Sequence, residues 1–146
     1  KDGSHTISVK TSDNDGNAAA AKTATFTVDT VPPTLQITAP SNDLITNKKT
    51  VTVSGKTDDV SSKPVTVTVN GATVTVGTDG TFTKDVTLAE GANTITIVAK
   101  DKAGKTTTVT RKVTVDTSAP VIKSITLTPN PVDCGKTFII AVEITD

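Results

Sequence analysis

The residues of this chain that could do chemistry are aspartates placed at turns. Asp29 closes an apolar alternation. Asp58 and Asp59 sit together in the polar stretch Thr57-Asp58-Asp59-Val60-Ser61-Ser62, and Asp101 opens the turn Asp101-Lys102-Ala103-Gly104. If the strands between them alternate in direction, the loops at Asp58–Asp59, Asp79–Gly80 and Asp101–Gly104 fall at the end where the chain enters, beside Asp29. Four carboxylates gathered there would repel one another unless a cation sits among them. Calcium, which takes roughly six to eight oxygens, is the natural candidate. Asp29, Asp58, Asp59 and Asp101 are therefore the expected metal ligands, and Asp116 and Asp146 repeat the scheme one unit on. A second reading stays open beside this one. Turn aspartates bond nearby backbone amides as caps, and Lys56, Lys100 and Lys102 stand close enough in sequence to neutralise the cluster.

Other chemistry finds little material. His5 is the single histidine, so a nucleophile with a base and an orienting group cannot be assembled. It reads as a solvated strand residue. Paired carboxylates can hydrolyse glycosides, but these are turn residues, and the chain is not expected to be an enzyme. Sugar platforms use exposed aromatic rings. The three aromatics, Phe26, Phe82 and Phe138, all fall at inward positions of their alternations, where packing is expected. An intramolecular lysine–asparagine bond would need a buried lysine, and only Lys84 comes near an inward position. Cys134 has no partner in the chain and reads as an inert, partly buried thiol.

The elements that must position the aspartates are strands. Threonine and valine dominate, both β-branched. Apolar residues alternate at Leu35, Ile37 and Ala39; Val51 and Val53; Val65, Val67 and Val69; Val74 and Val76; Phe82, Val86 and Leu88; Ile95 and Ile97; and Val109, Val113 and Val115. Asn70-Gly71 is a strong hairpin signal, because both central turn positions need positive φ. Asp79-Gly80 and Glu90-Gly91 are further turns, and Ser41-Asn42-Asp43 follows the strand stop at Pro40. About seven short strands with frequent turns predict an all-β sandwich of two antiparallel sheets. Arg111 interrupts the last alternation, which predicts a bulge or an exposed end there.

The chain also repeats. Gly91 to Pro120 is a near-copy of Gly3 to Pro33, offset by about 87 residues with one extra residue in the first copy. One complete unit is expected over residues 31–117. Residues 1–30 would be the last strands of a preceding unit, and residues 118–146 the first strands of a following one, with Pro129-Asn130-Pro131 between Leu127 and Phe138. Such end pieces expose apolar faces unless something covers them. The formal net charge is zero, so there is no electrostatic footprint for nucleic acid, and no apolar run is long enough for a membrane helix.

Val65-Thr66-Val67-Thr68-Val69-Asn70-Gly71, Asp79-Gly80-Thr81-Phe82, Leu88-Ala89-Glu90-Gly91-Ala92-Asn93-Thr94-Ile95 and Ala99-Lys100-Asp101-Lys102-Ala103-Gly104 together resemble bacterial immunoglobulin-like repeats. Residues from Pro129 to Lys136 look like a related but different subtype. Repeats of this kind trail the catalytic parts of secreted bacillopeptidase-type proteases and some glycosidases, and build the stalks of surface adhesins. The resemblance implies an extracellular module, secreted or attached to the cell wall, whose partners are the neighbouring immunoglobulin-like domains of its own chain. The leading expectation is a non-catalytic spacer. The alternatives are an adhesin repeat that itself contacts a host protein or cell-wall polymer, and an accessory domain of a secreted hydrolase. Adhesin stalks of this type carry calcium at their linkers, and the Asp-Thr-x-x-Pro form of Asp29 to Pro33 and Asp116 to Pro120 is similar. Asp13-Asn14-Asp15-Gly16-Asn17 also resembles the start of a calcium loop, without the downstream Glu of the helix–loop–helix version.

Overall fold

In a computed structural model describing residues 1–128, 130 and 134–146, twelve strands and no helix occur among the described residues. Eight of the strands build the central sandwich. One sheet holds β3 (Thr34–Ala39), β5 (Thr50–Asp58) and β8 (Thr81–Thr87), in that order. The other runs β4 (Leu44–Thr46), β10 (Thr106–Val115), β9 (Gly91–Lys100), β6 (Thr66–Val69) and β7 (Ala72–Val74). All pairings are antiparallel except β4 with β10, which is parallel. The chain passes repeatedly from one sheet to the other, so neither sheet can form without its mate.

The alternation read from the sequence is the alternation that is buried. Val51, Val53, Val67, Val69, Val74, Phe82, Leu88, Ile95, Ile97, Ala99, Val113 and Val115 form one core, with Leu35, Ile37, Leu44, Val65, Val76 and Val86 packed at its margin. Burying each large aliphatic side chain contributes about 1.5–3 kcal/mol. Close approach demands glycine at one point of the inner face. A Cβ on Gly55 would meet Gln36 O at 2.5 Å and Phe82 Cζ at 2.8 Å. Asn70 and Gly71 both have positive φ and join β6 to β7 in a two-residue hairpin, as their dipeptide predicts.

The sandwich has one strand more than the sequence suggests. Pro40 ends β3, Asp43 takes a positive φ of 58°, and the chain then crosses to lay Leu44–Thr46 beside β10. A three-residue strand shows too little alternation to be read in advance. The expectation for Arg111 needs correction. The β9–β10 register is continuous through Arg111 opposite Ile95, and the irregularity lies instead in β3, between Ile37 and Ala39. The half-buried guanidinium donates to Pro40 O at 3.2 Å and to Ile37 O at 3.4 Å. It therefore ties together carbonyls on either side of the bulge.

The flanking pieces are hairpins: β1 (Gly3–Val9) with β2 (Lys22–Val28), and β11 (Val121–Thr128) with β12 (Ile139–Thr145). Their apolar residues, among them Ile7, Val9, Ile125, Leu127, Ile140 and Ile144, are exposed. Of the three phenylalanines only Phe82 is buried. Phe26 and Phe138 are exposed, because two strands have no facing sheet to cover them. Cys134 is likewise exposed rather than partly buried. His5 stacks on Phe26 with ring centroids 5.5 Å apart, and its Nε2 lies 2.7 Å from Lys1 O. Lys84 lies in β8, an edge strand of its sheet. Within the subtype stretch of the third piece, Pro129, Pro131, Val132 and Asp133 lie outside the described residues.

Arg111→Ala should lower the unfolding free energy by about 1–3 kcal/mol, since two carbonyls lose a charged donor. Urea unfolding followed by circular dichroism reads this loss, and an unchanged midpoint would show that water replaces the guanidinium at no cost.

Candidate metal centre

The inward register of two core strands continues past their ends and delivers carboxylates to the entry end of the sandwich. On β5 the buried positions are Val51, Val53, Gly55 and Thr57, and the next is Asp59. On β9 they are Ile95, Ile97 and Ala99, and the next is Asp101. Asp29 arrives from the linker after β2. One carboxylate oxygen from each of Asp29, Asp59 and Asp101 lies within 4.8 Å of the other two. Their exposures are only 9%, 5% and 4%.

Each of the three also caps its own loop. Asp29 Oδ1 accepts from Val31 N at 3.1 Å. Asp59 Oδ1 accepts from Ser61 N at 2.9 Å and Ser62 N at 2.7 Å. Asp101 Oδ1 accepts from Lys105 N at 2.9 Å. The capping function and the cluster are therefore compatible, because a carboxylate has two oxygens. The second oxygens of Asp29 and Asp101 are buried without any hydrogen-bond partner. Such atoms are costly unless something satisfies them. A hard cation, which takes several oxygens, fits this set of three carboxylates. A cleft of about 490 Å³ lined by Thr27, Asp29, Ser61, Ser62, Lys63 and Lys102 opens beside the cluster.

The fourth expected ligand stays outside. Asp58 is exposed, and its Oδ1 pairs with Lys63 Nζ at 2.8 Å. That hydrogen bond, with a smaller one from Asp59 N, holds the Asp58 carboxyl below its ordinary range. The period of two already separates the pair. Asp59 shares the parity of Val51 and Val53, and Asp58 does not. Among the described residues the ion pairs are Lys49–Glu90 and Lys63–Asp58, so none of Lys56, Lys100 and Lys102 forms an ion pair with the cluster. Asp79 bonds Thr81 through its amide and hydroxyl. Asp116 and Asp146 are exposed and belong to no such group among the described residues.

A repeated staple was not anticipated. Thr30 donates its amide and hydroxyl to the Asp2 carboxylate, tying the linker back to the start of β1. Thr117 donates its amide and hydroxyl to Glu90 at 2.8 Å each, one unit later. Val31 N bonding Asp29 is matched by Ser118 N bonding Asp116 at 3.0 Å. The signal lay in the repeat itself. An acidic residue precedes both Gly3 and Gly91, and Asp-Thr follows both Val28 and Val115.

Two face-to-face sheets with crossing connections, flanked by hairpins with the same linker bonds, define an immunoglobulin-like module in tandem. The chain belongs to the family described as glucodextranase, domain B, which matches it over residues 33–117. It is 33% identical over 123 residues to Bacillopeptidase F of Bacillus subtilis (strain 168), across 84% of this chain. The chain spans only 8% of that protein's length. Among solved structures it is similar to the fibronectin(III)-like modules of Clostridium thermocellum CbhA, with TM-score 0.46 and 20% identity. That match covers 79% of this chain and 63% of the other. It is also similar to a tetra-tandem repeat in the extending region of a large adhesion protein, with TM-score 0.49 and 23% identity. There the coverage is 97% of this chain and 45% of the other.

The staples fix a pH dependence. Hydrogen bonds from Thr30 hold Asp2 below its ordinary value of 3.8, and those from Thr117 hold Glu90 below 4.5. A depressed folded-state pKa stabilises fully above the unfolded value and is lost as pH falls through the folded one. The thermal midpoint should therefore fall as pH drops from about 5 to about 2, and Glu90→Gln should shrink that fall. A midpoint that rises on acidification would contradict the assignment.

Proposed function

We propose that this segment is a non-catalytic spacer and interaction module of a larger extracellular protein, secreted or wall-attached, and that a calcium ion stiffens its unit junction. The observation that carries the reading is the trio Asp29, Asp59 and Asp101, buried together with two partnerless oxygens. Asp29 comes from the linker, while Asp59 and Asp101 come from the loops of the complete sandwich. A cation among them joins the linker to the unit that follows. The spacer role is further supported by the linker itself. Pro32 and Pro33 are adjacent, Pro33 is fully buried, and its carbonyl accepts from the Thr107 hydroxyl at 2.5 Å. A proline-containing linker held this way bends little.

In this reading the end hairpins are parts of neighbouring units, and the partners of the module are those units. The family and the relative are named for a glucodextranase and a peptidase, which supports an accessory position beside a hydrolase. Calcium sites of extracellular modules work at Kd about 10⁻⁴–10⁻³ M, a range that suits three carboxylates completed by carbonyl or water oxygens.

Melting of the whole chain in calcium, in magnesium and in chelator tests the cation. Calcium at about a hundredfold excess over Kd should add about 2.7 kcal/mol. Asp29→Asn and Asp101→Asn should each weaken the response, and Asp58→Asn should leave it intact. An identical midpoint in chelator and in calcium at about 10–100 mM, the hundredfold excess for such Kd values, would remove the ion from the proposal.

A further inference from the structure

The turn that carries Asp101 occurs twice. In the first copy Asp13 N donates to Asn17 O at 3.0 Å, Gly16 N donates to Asp13 O at 3.2 Å, and Asn17 N donates to Asp13 Oδ1 at 2.8 Å. In the second, Asp101 N donates to Lys105 O at 3.1 Å, Gly104 N donates to Asp101 O at 3.3 Å, and Lys105 N donates to Asp101 Oδ1 at 2.9 Å. The backbone is thus bonded alike, and in both copies the first carboxylate oxygen accepts from the amide four positions on, with Asp15 N at 3.1 Å a further donor to Asp13 Oδ1. The second oxygens differ more. Asp13 Oδ2 accepts from the Asn17 side-chain amide at 2.8 Å, whereas Asp101 Oδ2 is buried and has no partner.

We propose that the residue four positions after the turn aspartate decides whether that aspartate is free to bind a cation. Asparagine closes the carboxylate with an internal donor, as at Asn17. Lysine, as at Lys105, leaves it open. The physical reason is reach and chemistry. An asparagine amide nitrogen sits only three bonds from its own Cα and donates straight back across the turn, as Asn17 Nδ2 does to Asp13 Oδ2. A lysine ammonium stands at the end of a long chain, and Lys105 is exposed. Its charge reaches Asp2, where it helps lower that carboxyl after the stronger bonds from Thr30. Units of one array can therefore carry the same turn and differ in cation binding through a single exposed side chain. The inference rests on the cation reading of Asp29, Asp59 and Asp101.

The test uses the whole chain with Lys105→Ala as reference, because alanine removes the ammonium and adds no donor. Lys105→Asn and Lys105→Asp are nearly isosteric, but the first offers a donor and the second only acceptors. Calcium titration by calorimetry should find Lys105→Asn about tenfold weaker than Lys105→Ala, the loss expected when a charge-assisted bond must be broken first. Lys105→Asp should bind at least as tightly as the reference. In chelator, Lys105→Asn should melt above Lys105→Ala, since the orphaned oxygen gains a partner. Equal affinity of the asparagine and alanine variants, with the unmodified chain still binding, overturns the inference and spares the cation reading. Failure of the unmodified chain to bind calcium overturns both.

Discussion

Burial of one aliphatic layer between two sheets is the constraint from which the rest follows. The central unit has no covalent cross-link, since the chain has a single cysteine, and no helix covers an outer face among the described residues. Val53, Val67, Ile95, Ile97 and Val113 are almost wholly excluded from solvent. Because the chain changes sheets at nearly every connection, these residues meet only when distant strands have docked. The flanking hairpins illustrate the same rule by contrast. They have the same alternation and the same ladder, yet their apolar faces lie open, since pairing alone creates no interior.

The acidic cluster is a by-product of that layer. A strand whose odd-numbered residues face inward keeps facing them inward for one step beyond its last hydrogen bond. Asp59 and Asp101 occupy those steps on β5 and β9. They sit where the core ends and the linker begins, buried enough that a carboxylate oxygen without a partner is costly. Asp58, one residue out of phase, reaches solvent and finds Lys63. The difference between a clustered carboxylate and a surface ion pair is thus a difference of parity.

The linkers depend on the same economy of short bonds. Asp2 with Thr30, and Glu90 with Thr117, tie the exit of one strand to the entry of its neighbour. Each is exposed and individually weak. They recur at equivalent positions of the repeat, so both linkers are tied by the same pair of bonds. Arg111 does related work inside the sandwich, where it bonds carbonyls on either side of the β3 bulge as the chain changes sheets.

The strand alternation, the Asn70-Gly71 hairpin, the repeat and the all-β sandwich were legible in the residues alone, because side-chain period and turn chemistry are local properties. So was the meeting of Asp29, Asp59 and Asp101 at one end, which follows from strands alternating in direction. Strand parity also separates Asp59 from Asp58, whereas tertiary structure alone decided how close Asp29, Asp59 and Asp101 come to one another. It also added the strand at Leu44–Thr46 and turned Arg111 from an interruption into a cap. These outcomes rest on distances between residues far apart in the chain, set by how two twisted sheets close on one another, and no local pattern encodes them.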